Sequence, residues 1–213
     1  MRRATVLLLA TGLAFAGGAR GAAAGEFGVS LEGGYFGMTN ASKSAKAIFD
    51  GTSGGFTGGG SIRYVLARSF FLGVGGHYFK RTGERVFLAD ATSTAFRLGH
   101  PLTIREVPVY GMVGWRFFPD SAFVPYVALG AGQTSYSEKS IVGGIEDPVG
   151  QRVSKFSGHF MAGVEWGRGV VRLGAEFMYT TVPDTIGVDG VSKIYGEKDA
   201  GGMSVVGKIV LVP

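Results

Sequence analysis

The stretch FVPYVALGAGQTSY, from Phe123 to Tyr136, alternates with a period of two, which is typical of a β-strand. One of its faces is large and mostly apolar, with Phe123, Pro125, Val127, Leu129 and Ala131. The other face is rich in small residues, with Val124, Tyr126, Ala128, Gly130, Gly132 and Thr134. Because the two faces differ so strongly in size, we expect them to contact different surroundings.

The same period recurs along the whole chain. It is found in eight segments, residues 26–38, 55–66, 70–83, 102–118, 122–136, 154–166, 170–182 and 201–212. Each segment reaches the ~9–11 residues that a tilted strand needs to cross a membrane. Stripes with a helical period of 3.6 residues are absent, so we expect strands only.

The connections between these segments alternate in length. Tight turns, with the sequences LARS, PDSA and GRG, join the second segment to the third, the fourth to the fifth and the sixth to the seventh. Long polar connections occupy residues 39–54, 84–101, 137–153 and 183–200. A soluble sandwich could also contain eight strands, but the alternation favours an all-β, eight-stranded antiparallel up-and-down transmembrane β-barrel over residues 25–213. Both termini would then lie in the periplasm.

Aromatic residues cluster at both ends of the face predicted to point outward. Near the short turns lie Phe27, Tyr64, Phe70, Trp115, Phe117, Phe123 and Trp166, and near the long connections lie Tyr35, Phe56, Tyr78, Phe156 and Tyr179. Two such girdles are what amphipathic rings form at the two interfaces of a membrane.

Ionisable residues occupy the opposite, inward face. The predicted polar network of the lumen consists of Glu32, Arg63, His77, Glu106, Arg116, His159, Glu165, Arg172, Glu176 and Lys208. Eight strands enclose a space that side chains just fill, so we expect these charges to pair, Glu165 with Arg172 among them. Lys80 and Arg105 are exceptions, since they share the outward register near the ends of their segments.

The N-terminus predicts export. Residues 1–24 have a basic start, an apolar run and an Ala22-x-Ala24 cleavage site, as a secretory signal peptide does. Without Arg2, Arg3 and Arg20, 18 basic and 16 acidic residues remain. The basic character of the chain is therefore largely that of its leader, and we expect no nucleic-acid partner.

No motif points to catalysis or to a cofactor. The chain has no cysteine, and its histidines, His77, His100 and His159, lie in no metal-ligand spacing. We expect His100 in a loop, no nucleophile beside His77 or His159, and no G-x-S-x-G motif occurs. The sequence therefore predicts no enzyme, no metal and no cofactor.

Four segments resemble the OmpA-like outer-membrane β-barrel family. They are Pro125-Tyr126 with Gly130 and Gly132, REVPVYGMVGWRF (Arg105–Phe117), VRLGAEFMYT (Val171–Thr180) and AGGMSVVGKIVLV (Ala200–Val212). The resemblance implies the outer membrane of a Gram-negative-type bacterium, periplasmic termini and insertion by the barrel-assembly machinery. No peptidoglycan-binding domain follows residue 213, and the last residues, Leu211-Val212-Pro213, lack the family's usual terminal aromatic.

The expected function is structural or interactive. We expect a monomeric barrel in contact with outer-membrane lipid, whose lumen is largely filled and whose four long connections reach an extracellular ligand or surface. The alternative is a narrow pore or transporter for ions or small apolar molecules.

Overall fold

The computed structural model describes residues 25–147 and 152–213, so the predicted signal peptide, residues 1–24, lies outside the described residues. The strands are β1 (Glu26–Gly37), β2 (Gly54–Leu66), β3 (Phe70–Phe87), β4 (Phe96–Arg116), β5 (Phe123–Val142), β6 (Ile145–Asp147), β7 (Arg152–Trp166), β8 (Val171–Thr181) and β9 (Gly202–Leu211). Two α-helices, α1 (Ser42–Ile48) and α2 (Gly190–Tyr195), and a 3-10 helix (Thr39–Ala41) lie in connections between strands.

The eight long strands close into a ring. Each pairs antiparallel with its neighbours in chain order, and pairing of β1 with β9 completes the barrel. The short β6 extends a hairpin at the end of β5. This topology confirms the predicted all-β, eight-stranded antiparallel up-and-down barrel. Closure leaves no unpaired sheet edge around the ring.

The outer surface of the ring is apolar. Leu31, Leu129 and Val205 are 69%, 63% and 60% exposed, although such side chains avoid water. In a barrel of this kind, an exposed apolar band faces lipid. The two predicted faces of Phe123–Tyr136 are therefore correct, since Tyr126 and Ala128 are buried inside the barrel.

The barrel wall is taller on one side. β3 ends at Phe87, β4 begins at Phe96 and β5 ends at Val142. Each of these three strands therefore extends well beyond the end that was predicted for it. Much of the predicted connections 84–101 and 137–153 is therefore strand, and His100 lies in β4 instead of a loop. A register shift between Glu84 and Val86 interrupts the β3–β4 ladder, after which pairing resumes.

An acidic side chain holds the tip of the β3–β4 hairpin. Oδ1 of Asp90 accepts hydrogen bonds from the Thr92 hydroxyl at 2.7 Å and from the Thr92 and Ser93 amides at 2.8 and 2.9 Å. These donors, the Thr92 hydroxyl first, lower the pKa of Asp90 to about 2. The tip therefore keeps an ionised acceptor at any physiological pH.

The two helices were not expected from the sequence. With seven and six residues, each is too short to show a helical stripe. α1 nevertheless buries Ala45 and Ile48 over the open end of the barrel. Among the described residues, no helix has the length and apolar character to cross a membrane.

The ladder around Pro125 is regular, so the local irregularity that a strand proline suggests is not found. Pairing of β4 with β5 begins at Arg116 and Tyr126. Pro125 therefore lies one position beyond the β4 ladder, where its carbonyl accepts from the Phe117 amide at 2.8 Å. Its missing N–H interrupts no ladder at that position.

Candidate functional site

The candidate site is the interior of the barrel together with its mouth at the end of the long connections. The structure places the ten sequence-predicted lumen residues inside the ring. Nine of them are at most 7% exposed, namely Glu32, Arg63, His77, Glu106, Arg116, His159, Glu165, Glu176 and Lys208. The side chain of the tenth, Arg172, is 14% exposed. They do not form one network: nine of them belong to three groups at different positions along the barrel, and Glu106 lies apart.

The first group, which we call the basal cluster, consists of Glu26, Arg63, Arg116, Glu165 and Arg172. Both terminal nitrogens of Arg63 donate to the Glu165 carboxylate, Nη2 to Oε2 at 2.6 Å. Arg172 binds both oxygens of Glu26 at 2.9 Å, and Nη1 of Arg116 binds Glu26 Oε1 at the same distance. Bidentate geometry of this kind is the strongest form of such a pair.

The predicted pairing of Glu165 with Arg172 is present only at long range. Nη1 of Arg172 lies 4.0 Å from Oε2 of Glu165. In the β7–β8 hairpin, Glu165 lies opposite Gly174 instead. The main partner of Glu165 is therefore Arg63 on β2, and that of Arg172 is Glu26 on β1.

The second group, the central cluster, is centred on Lys208. Its Nζ lies 2.9 Å from Glu176, 3.1 Å from Glu32 and 3.2 Å from the Tyr126 hydroxyl. Tyr126 in turn donates to Glu176 at 2.6 Å, and Nε2 of His77 lies 2.8 Å from Glu32. One ammonium thus serves two carboxylates, and an imidazole and a phenol provide the remaining contacts.

Two serines complete the coordination of Glu32. The hydroxyls of Ser30 and Ser61 donate to Oε1 of Glu32 at 2.5 and 3.0 Å. Buried charges are tolerated when they are paired and fully hydrogen-bonded. The central cluster pairs its charges with one another and with polar groups, and its members come from six strands.

The third group surrounds His159. Its Nδ1 lies 3.0 Å from the Thr180 hydroxyl and its Nε2 lies 3.0 Å from the Ser157 hydroxyl. The Tyr110 ring lies 4.3 Å from the His159 ring, and its hydroxyl lies 3.3 Å from Nδ1 of His77. The aromatic rings therefore connect this group to the central cluster.

Ser157 corrects the expectation that no nucleophile lies beside the histidines. Its hydroxyl is placed where a base could accept its proton, but Ser157 is fully buried. The other ring nitrogen of His159, Nδ1, forms its hydrogen bond with the Thr180 hydroxyl and not with a carboxylate. A nucleophile needs access to substrate as well as a base, so this arrangement fits a structural hydrogen bond.

Glu106 lies apart from all three groups. It is 2% exposed, and its Oε2 has no hydrogen-bond partner among the described residues. It lines a cavity of about 10 Å³ together with Thr57, His77, Thr180 and Ser204. A cavity of that size accommodates about one water molecule, which would give the carboxyl group a partner.

The mouth at the end of the long connections is closed by an apolar cluster, which we call the mouth cluster. It comprises Phe36, Met38, Ala41, Ala45, Ile48, Phe49, Phe79, Val86, Ile104, Tyr136, Ile186 and Ala200, all buried. The connections that carry α1 and α2 pack together over it. Glu197 binds them to each other, since it accepts from the Lys43 and Ser44 amides at 2.9 Å and from the Ser44 hydroxyl at 2.5 Å.

A cavity of about 160 Å³ lies beside the mouth cluster, between both helices and strands β3, β4 and β5. Met38, Ile48 and Ile104 give it an apolar wall. Its polar wall contains Glu138, which accepts from the Tyr136 hydroxyl at 2.5 Å. The Ser140 hydroxyl, also in this wall, is buried and has no partner among the described residues.

Several residues of the site were not predicted from the sequence. Glu26 shares the inward register of Glu32, six residues away, and this spacing was sufficient to find it. Tyr110 and Tyr126 also lie in the inward register, but their role as hydrogen-bonding partners depends on which strands face each other across the lumen. In the described ranges, no group of three or more His, Cys, Asp or Glu side chains is arranged to hold a metal ion.

Comparisons with known proteins identify similar structures but no family. No family model matches the chain, and no curated protein matches it. Among solved structures, the chain is similar to Neisserial surface protein A, with 13% identity, a TM-score of 0.49, and coverage of 88% of this chain and 95% of that one.

Two further solved structures give the same result. The N-terminal β-barrel domain of Pseudomonas aeruginosa OprF has 13% identity and a TM-score of 0.48, over 89% of this chain and 99% of that one. The attachment invasion locus protein Ail of Yersinia pestis has 13% identity and a TM-score of 0.46, over 89% of this chain and 97% of that one. At these identities and TM-scores, the likenesses carry no conclusion about what this chain binds.

Proposed function

We propose that this chain is an integral outer-membrane barrel whose role is structural or interactive, with a closed lumen. The exposed apolar band, the aromatic girdles and the predicted secretory leader support this location. β1 begins and β9 ends at the short-turn end of the barrel, which places both termini on one side, the periplasmic side in this proposal. The OmpA-like resemblance supports the same topology and insertion by the barrel-assembly machinery.

The observation that carries the proposal is the filled interior. The basal cluster and the central cluster join side chains from opposite walls of the ring, for example Arg63 on β2 with Glu165 on β7. Above them, the mouth cluster closes the extracellular end with apolar side chains. Opening an aqueous path would require the separation of buried ion pairs, which costs about 3–5 kcal/mol for each pair that loses a partner. The pore alternative is therefore disfavoured.

Planar-bilayer recording of the refolded protein tests this proposal. We expect no reproducible conductance from the unmodified protein. The comparison variants are Glu165→Gln and Arg172→Gln, which alter the basal cluster, and Arg168→Gln, which removes one charge from an exposed short turn. A steady conductance that changes in the first two variants and not in the third would establish a pore and refute the closed barrel.

The interactive part of the role belongs to the tall side of the barrel. At the tips of its hairpins, Phe87 and Phe96 pair across β3 and β4 and are 60% and 66% exposed. Phe87 lies nine residues beyond Tyr78, or roughly 20 Å above the aromatic girdle at the usual rise and tilt. Exposed apolar side chains outside the lipid are typical of interaction surfaces, so this tip is the proposed contact with an external partner.

The proposed barrel is monomeric and non-catalytic. Around the ring the sheet closes on itself, so a second copy has no strand edge to pair with inside the membrane. His77 and His159 serve in buried hydrogen bonds, and no cofactor is part of the proposed role.

A further inference from the structure

Two cations on the outer surface are not explained by the closed lumen. Lys80 on β3 and Arg105 on β4 lie directly opposite each other in the ladder, and both are exposed. Like charges in this position destabilise a sheet. Among the described residues, no acidic side chain lies within ion-pair distance of either. The protein therefore carries an uncompensated repulsion at this point.

A third cation continues the row around the barrel. Arg105 lies opposite Ser137 on β5, and Ser137 lies opposite Arg152 on β7. Arg152 is also exposed. We call Lys80, Arg105 and Arg152 the outer basic row. With neighbouring strands ~4.8 Å apart, the row extends roughly 14 Å along the wall.

The height of the row matches a lipid headgroup. Lys80 lies two residues beyond Tyr78 of the girdle on the same outward face, which is roughly 5 Å above it at the usual rise and tilt. The guanidinium of Arg105 lies 5.2 Å from the centre of the Tyr78 ring. This contact holds Arg105 at the edge of the apolar band, at the level of the lipid headgroups.

The row is confined to the tall side. On the other side the strands are shorter: β1 ends at Gly37 and β2 begins at Gly54, while β8 ends at Thr181 and β9 begins at Gly202. The parts of these four strands above Tyr35, Phe56 and Tyr179 contain no basic residue. The basic residues of that side, Lys43, Lys46, Lys193 and Lys198, lie in its connections. Among the described residues, outward-facing strand positions above the girdle are therefore basic on the tall side alone, which is the arrangement expected of a site for one headgroup on the barrel wall.

We propose that the outer basic row binds the phosphate groups of a phosphorylated lipid in the outer leaflet. Arginine and lysine bind phosphate oxygens through charge-assisted hydrogen bonds, and a lipid with its chains along the apolar band presents its phosphates at this height. The bound phosphates relieve the repulsion between Lys80 and Arg105. The inference rests on the proposed membrane location and adds the chemical class of the lipid.

The test measures binding of fluorescent diphosphoryl lipid A to the protein refolded in uncharged detergent micelles. The variant Lys80→Gln/Arg105→Gln should lower the affinity on the order of tenfold. The control Arg68→Gln/Arg168→Gln removes two exposed cations at the short turns and should change the affinity by less than about twofold. Added salt should weaken binding to the unmodified protein, because exposed charges are screened.

Other outcomes overturn the inference. Equal losses in the two double variants would show that only net charge matters, and an unchanged affinity in the Lys80→Gln/Arg105→Gln variant would show that the row is not the site. Displacement of the lipid by an equal concentration of inorganic pyrophosphate would indicate a site for free phosphate instead.

Folding is measured on the same samples by heat-modifiable gel mobility. If the folded barrel band never appears, the proposed function itself is wrong. If the barrel folds but binds diphosphoryl lipid A no better than phosphatidylcholine, only the inference about the outer basic row is wrong.

Discussion

Gly132, in the stretch Phe123–Tyr136, lies where the backbone of β4 closely approaches that of β5. A Cβ atom at this position would lie 2.1 Å from the Val109 carbonyl oxygen and 2.6 Å from Cα of Tyr110. Both are backbone atoms of a hydrogen-bonded ladder, which cannot rotate away as a side chain would. Glycine at this inward position therefore allows both the strand contact and the position of Tyr110 in the lumen.

We expect Gly132→Ala to lower the free energy of unfolding by about 1–3 kcal/mol, as overpacking does in other cores. The matched control is Gly111→Ala, where the nearest atom to an added Cβ is the Gly73 carbonyl oxygen at 3.9 Å. That change should cost less than about 0.5 kcal/mol. Urea unfolding in lipid vesicles, followed by tryptophan fluorescence, measures both, and equal losses would contradict the close approach.

Which side of the wall each residue occupies was predictable from the sequence, but its partner was not. A period of two assigns a face without knowledge of the rest of the fold, so Glu165 and Arg63 were both placed inside. Their pairing joins β7 to β2 across the lumen. Sequence order brings hairpin neighbours together and says little about opposite walls, which is why Arg172 was the expected partner instead.

At the level of the elements, the turn between β2 and β3 is strained. Ala67 and Arg68 have φ angles of 45° and 66°, values that side chains with a Cβ atom rarely adopt. Leu66 pairs with Phe70, so the turn has three residues, and glycine is favoured at its positions of positive φ for that reason. Arg68 forms an ion pair with Asp120 at 3.4 Å, but both side chains are about 80% exposed. The pair therefore offsets little of the strain.

We expect Arg68→Gly to raise the free energy of unfolding by about 0.5–1 kcal/mol, because glycine adopts a positive φ without steric cost. The matched control is Arg168→Gly in the turn between β7 and β8, since Arg168 is not among the residues with positive φ. The control should give no gain. Urea midpoints of the two variants compare them directly, and a loss in Arg68→Gly would show that the turn is not strained.

The number of strands was predictable, whereas the lengths of three of them were not. Residues 84–101 contain one glycine, Gly99, the turn residues Asp90 and Ser93, and Pro101, which are signals of a loop. Pairing of Phe87 with Phe96 and of Val86 with Arg97 overrides these local signals. Strand propensity depends on the partner strand, so the tall side of the wall could be recognised only once β3 and β4 were placed together.

For the molecule as a whole, the apolar band determines which membrane fits. Phe27 and Tyr35 mark the two girdles on β1 and are eight residues apart, which corresponds to about 20 Å along the barrel axis at the usual rise and tilt. A typical bilayer has a hydrocarbon core of about 30 Å. The extra height of β3, β4 and β5 does not extend the band, because exposed Lys80 and Arg105 follow directly above it.

We therefore expect the barrel to be more stable in thin bilayers than in thick ones. Mismatch between a protein and its bilayer costs a fraction of a kcal/mol per Å, so a difference of several Å should change the free energy of unfolding by about 1–3 kcal/mol. Urea unfolding in phosphatidylcholine vesicles with 12-carbon and 18-carbon chains measures this difference. The Lys80→Gln/Arg105→Gln variant should show a smaller difference in the free energy of unfolding between the two lipids, because removal of the charges allows the apolar band to extend upward on the tall side. Equal stability of the unmodified protein in both lipids would mean that the girdles do not mark the edges of the band.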